Sequence, residues 1–357
     1  MGCVTGSRGW ASIRRPEPVS PSVFDGHNDA LSRLARAGPA AARGFLAGDG
    51  AGHLDLPRAV RGGFAGGCFA VFTCCPSDED FESEAYFAAV DQPRALAEAL
   101  AQVALLLRLE RESGGQLRIA RAPDELDGEG IAAVLHLEGA EPFTPGLDAL
   151  DVLHAAGMRS LGLVWSRPNA FATGVPFAFP GSPDQGPGLT DAGRALVRAC
   201  GELRILIDLS HLNACGFWDV AALSAAPLVA SHSGAHALCP SPRNLTDDQL
   251  RAIGDSDGLV GINFCVGFLR ADGADDTATP LSAIAAHAAH VAEVAGVDAV
   301  ALGSDFDGAT MPAALGDVSG LPAVLDALRA VGFGEADVEK VAYRNWRRVL
   351  EATWGAG

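Results

Sequence analysis

Histidines and acids stand at the ends of apolar runs in this chain, and their order is the first clue to its chemistry. Near the start, Asp25-Gly26-His27-Asn28-Asp29 follows Val23-Phe24. On a strand, a side-chain period of two would send His27 and Asp29 to one face, an imidazole beside a carboxylate, half of a metal site. Alone, a His-x-Asp pair is weak, and a single strand-end histidine is more often a hydrogen-bonded core or loop residue than a ligand. The series makes the difference: Glu138, His211, His232 and Asp305 each close a later apolar run. Three histidines and three acids meeting in one pocket would suit one or two divalent ions, with zinc favoured by the imidazoles.

The elements that must bring these residues together alternate along the chain. Eight β-like runs cover residues 22–24, 67–73, 131–137, 160–165, 205–209, 228–231, 259–264 and 299–303. Helix-like stretches lie between them, including 92–112, 190–201, 281–295 and 336–352, and Thr246-Asp247-Asp248-Gln249 has the form of a capping box. Near-continuous apolar strands separated by helices imply a parallel sheet covered on its outer side. Eight such repeats predict an α/β fold of the (β/α)8 TIM-barrel type, whose C-terminal strand ends converge on one mouth where these residues would meet. Residues 168–188, rich in proline and glycine, form an insertion after the fourth strand, read equally as a pocket wall or lid and as a passive loop.

Composition sets outer limits. The 357 residues are 48 % hydrophobic, enough for a large core, and the formal net charge of −18 argues against a nucleic-acid or anionic-membrane partner. No stretch approaches the roughly 20 apolar residues that span a bilayer. Residues 1–20 read as a disordered extension without the apolar segment of a signal peptide, and 21–357 as one barrel domain. The eight cysteines contain no C-x-x-C spacing. They read as small buried hydrophobes in a reducing compartment, which predicts a cytoplasmic protein.

The local contexts sharpen the reading. Leu137-Glu138-Gly139, Asp208-Leu209-Ser210-His211, Ser231-His232-Ser233, Pro242-Arg243-Asn244 and Gly303-Ser304-Asp305-Phe306-Asp307-Gly308 follow His27-Asn28-Asp29 in order. Together they resemble the renal (membrane) dipeptidase family of the metal-dependent amidohydrolases, over residues 22–350. The resemblance implies two zinc ions per chain. His27 and Asp29 would hold one, His211 and His232 the other, and Glu138 would bridge them. It implies hydrolysis of dipeptides by a metal-bridging hydroxide, with Asp305 as general base and then general acid. Arg243 would clamp the substrate's C-terminal carboxylate, and a D-residue at that end would be tolerated. A homodimer is the assembly the family implies; no residue here points to it.

Three departures lie around the substrate. Trp165 stands where family members place a carbonyl-polarising histidine, so its indole would donate a hydrogen bond or wall the pocket, with Arg167 as a substitute source of positive charge. Cys265 replaces an aromatic after Asn263-Phe264, leaving Asn263 as the substrate contact of that segment. Ala140-Glu141-Pro142 follows the bridging glutamate where a histidine is common. His136 reads as a barrel-interior filler more readily than as support for the metals, and His236, one helical turn after His232, as a packing residue more readily than as one that orients a ligand or substrate. The substrate alternatives are an N-acyl amino acid, a cyclic amide or a lactam. A non-catalytic metal-binding homologue is the remaining alternative.

Overall fold

Eight parallel strands close on themselves in the computed structural model, which describes residues 21–38, 40–74 and 86–355. The extension expected over residues 1–20 lies outside the described residues. The barrel strands are β1 (Val23–Asn28), β2 (Phe64–Phe72), β4 (Ile131–Glu138), β5 (Met158–Gly162), β6 (Leu206–Asp208), β7 (Val229–Ser233), β8 (Leu259–Ile262) and β9 (Val300–Leu302). Pairing of β2 with β4, and of β1 with β9, completes the ring. A ninth strand, β3 (Leu117–Ile119), pairs with the first residues of β4, on the edge that β5 takes over from Leu135 onward. Three residues are too few to show a period, which is why no β-like run was expected there.

The period of two sorts β4 into its two environments. Ile131, Ala133, Leu135 and Leu137 join the large core between barrel and helices. The alternate residues Ala132 and Val134 join Phe24, Cys68, Leu206, Val229, Leu259 and Ala301 in a separate cluster inside the barrel. His136 and Glu138 continue that inward row, so one strand supplies both apolar filling and polar site residues.

The lower end is closed by the helix Asn345–Trp354, whose Trp346, Val349, Leu350 and Trp354 belong to the interior cluster. The Trp346 indole donates to the Leu302 carbonyl at 3.0 Å, which satisfies its one polar group. A π-helical turn, Lys340–Arg344, joins this helix to Glu335–Glu339, so the helix expected over 336–352 is interrupted by a bulge. The helices Gln92–Glu112 and Leu281–Ala295 occupy the expected residues, and Thr246 and Gln249 form the expected capping box. Among the described residues, no helix is long and apolar enough to cross a membrane.

Among the irregular strands, β1 and β7 bear on the site. In β1 the register shifts between Asp25 and Asn28, and in β7 between Ala230 and Ser233. Phe24 and Val229 are inward residues, so regular strands would turn His27 and His232 outward; the irregularities bring both back to the interior. Glycine makes the room. A Cβ at Gly26, Gly261 or Gly303 would collide with the Ser231 carbonyl, so the backbone here approaches too closely for any side chain.

Candidate metal and substrate site

The mouth of the barrel collects every site residue expected from the sequence. Asp29 lies just past β1, at the start of the helix Ala30–Ala37, yet its side chain makes no capping bond and stays with the site. Its Oδ2 is 3.4 Å from His27 Nε2, so the pair does project together. Asp305 follows β9. Asp25 accepts from the Ser304 backbone N–H at 2.6 Å and its hydroxyl at 2.8 Å, and Asp305 N–H donates to the His27 carbonyl at 3.0 Å. These bonds tie the end of β9 to β1. His211 and Asp305 both have left-handed backbone, with φ of 66° and 65°, a costly conformation that recurs at functional sites.

Glu138 sits at the centre, with its two oxygens turned different ways. Oε2 is 3.7 Å from His27 Nε2, whereas Oε1 is 3.0 Å from His211 Nε2 and 3.6 Å from His232 Nε2. His211 Nε2 and His232 Nε2 are themselves 3.0 Å apart. Candidate ligand atoms fall into overlapping groups within 4.8 Å, one of His27, Asp29 and Asp305, another of His27, Glu138 and His232.

The electrostatics of this cluster call for a cation. Burial, reinforced by the nearby Arg243 and His27 charges, holds His211 and His232 well below the ordinary histidine range, so both are neutral donors. Burial opposes a charge on His27, but Glu138 and Asp29 outweigh it and raise its pKa. Burial raises Glu138 and Asp305. Both ring nitrogens of His27 are buried without a hydrogen-bond partner, a costly state for a polar group. Three carboxylates, facing imidazole nitrogens and an unpartnered histidine fit a bound divalent metal, which would satisfy all of them together.

Around this cluster lies a cationic and aromatic shell. Arg243 is 3 % exposed and donates to the His232 carbonyl at 2.9 Å and to Ser233 Oγ at 3.4 Å. Its guanidinium lies 5.5 Å from the Phe268 ring centre, and no carboxylate among the described residues pairs with it. Trp165 stacks on Phe87 at 5.7 Å and meets Phe177 edge-on at 5.3 Å; His211 is 5.8 Å away. Phe177 belongs to the 168–188 insertion, which is fastened over the mouth. Val175 N–H donates to the His211 carbonyl at 2.8 Å, and His236 Nε2 bonds the Gly181 carbonyl at 2.8 Å. The insertion packs its Phe177 against Trp165 and His211, and His236 is one of its fastenings.

Two positions, Asn263 and Arg167, differ from the sequence-based expectation in what they touch. Asn263 donates to Asp305 Oδ2 at 3.0 Å and accepts from Cys265 N–H at 2.6 Å, so its contact is with the acid. Arg167 is committed to Glu141 in a fully buried ion pair at 2.8 Å and donates to the Thr73 carbonyl at 2.8 Å. Glu141, in one of the departing segments, thus neutralises the Arg167 read as a substitute source of positive charge. Ser166, Asp208 and Ser231 were read only as flanking sequence, yet Ser166 Oγ and Ser231 Oγ contact the Nδ1 atoms of His211 and His232 at 2.7 and 2.8 Å. The available signal was parity: Asp208 and Ser231 each lie two residues past an interior apolar residue, Leu206 and Val229.

Known proteins share this fold. The model of the membrane dipeptidase family (Peptidase family M19) matches residues 19–355. A crystal structure of a metallo peptidase from Rhodobacter sphaeroides, liganded with a phosphinate mimic of the dipeptide L-Ala-D-Ala, has a TM-score of 0.89 and 47 % identity, covering 94 % of this chain and 100 % of that one. A structure described as the dipeptidase AC, a metallo peptidase, gives 0.89 and 48 % over the same shares. A Klebsiella pneumoniae protein, described as uncharacterized and in the pqqA 5′ region, is 49 % identical over 257 residues, 71 % of this chain and 95 % of its own. The chain belongs to the membrane dipeptidase family, Peptidase family M19, and is a metallo-dipeptidase built on a (β/α)8 barrel.

Proposed function

We propose that the enzyme is a two-zinc dipeptidase that cleaves L,L-dipeptides and also accepts a D-residue at the C-terminal position. The observation that carries the substrate reading is Arg243, a buried guanidinium beside the acid–histidine cluster with no carboxylate of its own. A buried cation of this kind is costly until an anion meets it, and a guanidinium fork fits a free α-carboxylate with two bonds. In this reading His27 and Asp29 would hold one ion, His211 and His232 the other, and Glu138 would serve both. When bound, the ions would polarise the scissile carbonyl and make water acidic enough to act near neutral pH.

The chain's own residues do the rest. Asn263 occupies Asp305 Oδ2, which leaves Oδ1 as the oxygen to accept a proton and return it to the leaving amine. Arg243 binds the substrate's carboxylate and so fixes which peptide bond reaches the acid. Trp165, with no acid–base capacity, acts as a wall, and with Phe177 it excludes bulk water from the reacting groups. The D-residue tolerance draws on the L-Ala-D-Ala mimic bound by the Rhodobacter sphaeroides relative. The described free cysteines fit a reducing compartment, and we place the enzyme in the cytoplasm.

The test is hydrolysis by the zinc-loaded enzyme of L-Ala-L-Ala, L-Ala-D-Ala, their C-terminal amides and N-acetyl-L-alanine. Turnover of the two free dipeptides and little of the others is the expected result. Equal turnover of the amides would remove the role given to Arg243, and preferred turnover of N-acetyl-L-alanine would make the enzyme an N-acyl amino acid hydrolase.

A further inference from the structure

The hydrogen bonds behind the two facing imidazoles are unequal. His211 Nδ1 meets Ser166 Oγ at 2.7 Å, and that hydroxyl makes no other hydrogen bond among the described residues. His232 Nδ1 meets Ser231 Oγ at 2.8 Å, and Ser231 Oγ meets Asp208 Oδ2 at 2.5 Å. Asp208 Oδ1 accepts two backbone N–H groups, from Ser231 at 2.7 Å and Ser210 at 3.0 Å, so the buried carboxylate is held in one orientation. His136 Nε2 approaches Oδ2 only to 3.6 Å, beyond hydrogen-bond range, which leaves the short contact to Ser231.

Proton bookkeeping gives this chain a direction. An ionised carboxylate only accepts, so the Ser231 hydroxyl donates its one proton to Asp208. The Ser231 oxygen can then only accept from His232, which must carry its proton on Nδ1. Nε2 is left as a lone pair, and it is the atom aimed at Glu138 Oε1 and His211 Nε2. We propose that Asp208 is a positioning residue that acts through Ser231 to fix the tautomer of His232 and raise its basicity as a metal ligand. A carboxylate behind a ligating histidine does this directly in many metal sites; here a serine hydroxyl relays it. His211, backed by a hydroxyl alone, lacks the same support. The inference rests on the reading of His232 as a ligand.

Chelator competition with zinc on the full chain tests both steps and separates them. Ser231→Ala and Asp208→Asn should each weaken zinc binding about 10- to 100-fold, the range for lost partners behind ligands. The double variant should be no weaker than the worse single, because both break one chain. Raising free zinc should restore turnover in Ser231→Ala, a rescue that a general packing defect would not show. His232→Ala reports on the ligand itself. If it binds zinc as the unmodified enzyme does, the ligand assignment fails. If it loses zinc while Ser231→Ala and Asp208→Asn keep the unmodified affinity, the role of Asp208 is overturned. Should Asp208→Asn not fold, Ser231→Ala decides the matter, since it leaves both backbone bonds to Asp208 in place.

Discussion

At the lower end of the barrel interior, Phe24, Val134, Leu206, Val229 and Ala301 close around Trp346, and the indole there is satisfied by the Leu302 carbonyl. A few residues further along the same strands, Glu138, Asp208 and His232 are as deeply buried, but among charges. The floor gains free energy from apolar burial, about 1.5–3 kcal/mol for each large side chain removed from water. The mouth spends it, since His27 Nδ1, His27 Nε2 and Arg243 Nε are buried with no hydrogen-bond partner among the described residues. Burial here serves two ends. It seals one end of the barrel, and at the other it keeps donors and charges ready for a metal and a substrate.

If that division is real, substitutions at the two ends should separate activity from stability. The largest effect is expected at Asp305→Asn. Turnover should fall by about 10²–10⁴ as the proton carrier is lost, with zinc content and thermal midpoint little changed. Unchanged kcat would remove Asp305 from the chemistry. Next comes Trp346→Ala at the floor, expected to cost about 3–5 kcal/mol in denaturant unfolding through the cavity it leaves. Activity per folded molecule should survive this change; a parallel loss of kcat would mean that the floor also sets the mouth's geometry.

A smaller effect concerns pH. His287 accepts the Ala235 backbone N–H on Nδ1 at 2.9 Å and reaches the Leu269 carbonyl through Nε2 at 3.1 Å, which braces the turn after β7. Burial lowers its pKa to about 4. Below the ordinary value of 6.5 the unfolded chain therefore binds a proton that the folded chain refuses, and stability falls as pH drops from 6.5 towards 4. The loss should reach on the order of 3 kcal/mol. It should be read in the metal-free protein as a pH slope that His287→Gln reduces, and an identical slope in the variant would discount it. Smallest is Arg243→Lys, which keeps the charge and loses the fork. KM for L-Ala-L-Ala should rise about 10- to 100-fold with kcat less affected, and an unchanged KM would detach the carboxylate from this residue.

Much of this was legible from residue order. His27, Asp29, Glu138, His211, His232 and Asp305 all reach the mouth because each ends an apolar run and parallel strands point their ends one way. The helices at 92–112 and 281–295 and the cap at Thr246 are local patterns and could be read locally. Other features had no local trace. The inward turn of His27 and His232 depends on irregularities set by neighbouring strands. The pairing of Arg167 with Glu141 joins residues 26 positions apart across two loops, and Asn263 meets Asp305 across 42. The short strand β3 exists because the start of β4 offers an open edge.

Residue types and their order determined a metal site on a parallel barrel, because strand periodicity and ligand preference are properties of short segments, and the family resemblance carried by the ordered motifs implied hydrolysis there. Which oxygen of Glu138 faces which histidine, that Arg243 lacks a carboxylate partner among the described residues, and that Asp208 stands behind His232 were decided only when the strands closed into a ring. Those relations are distances between residues remote in the chain, and packing, not sequence neighbourhood, sets them.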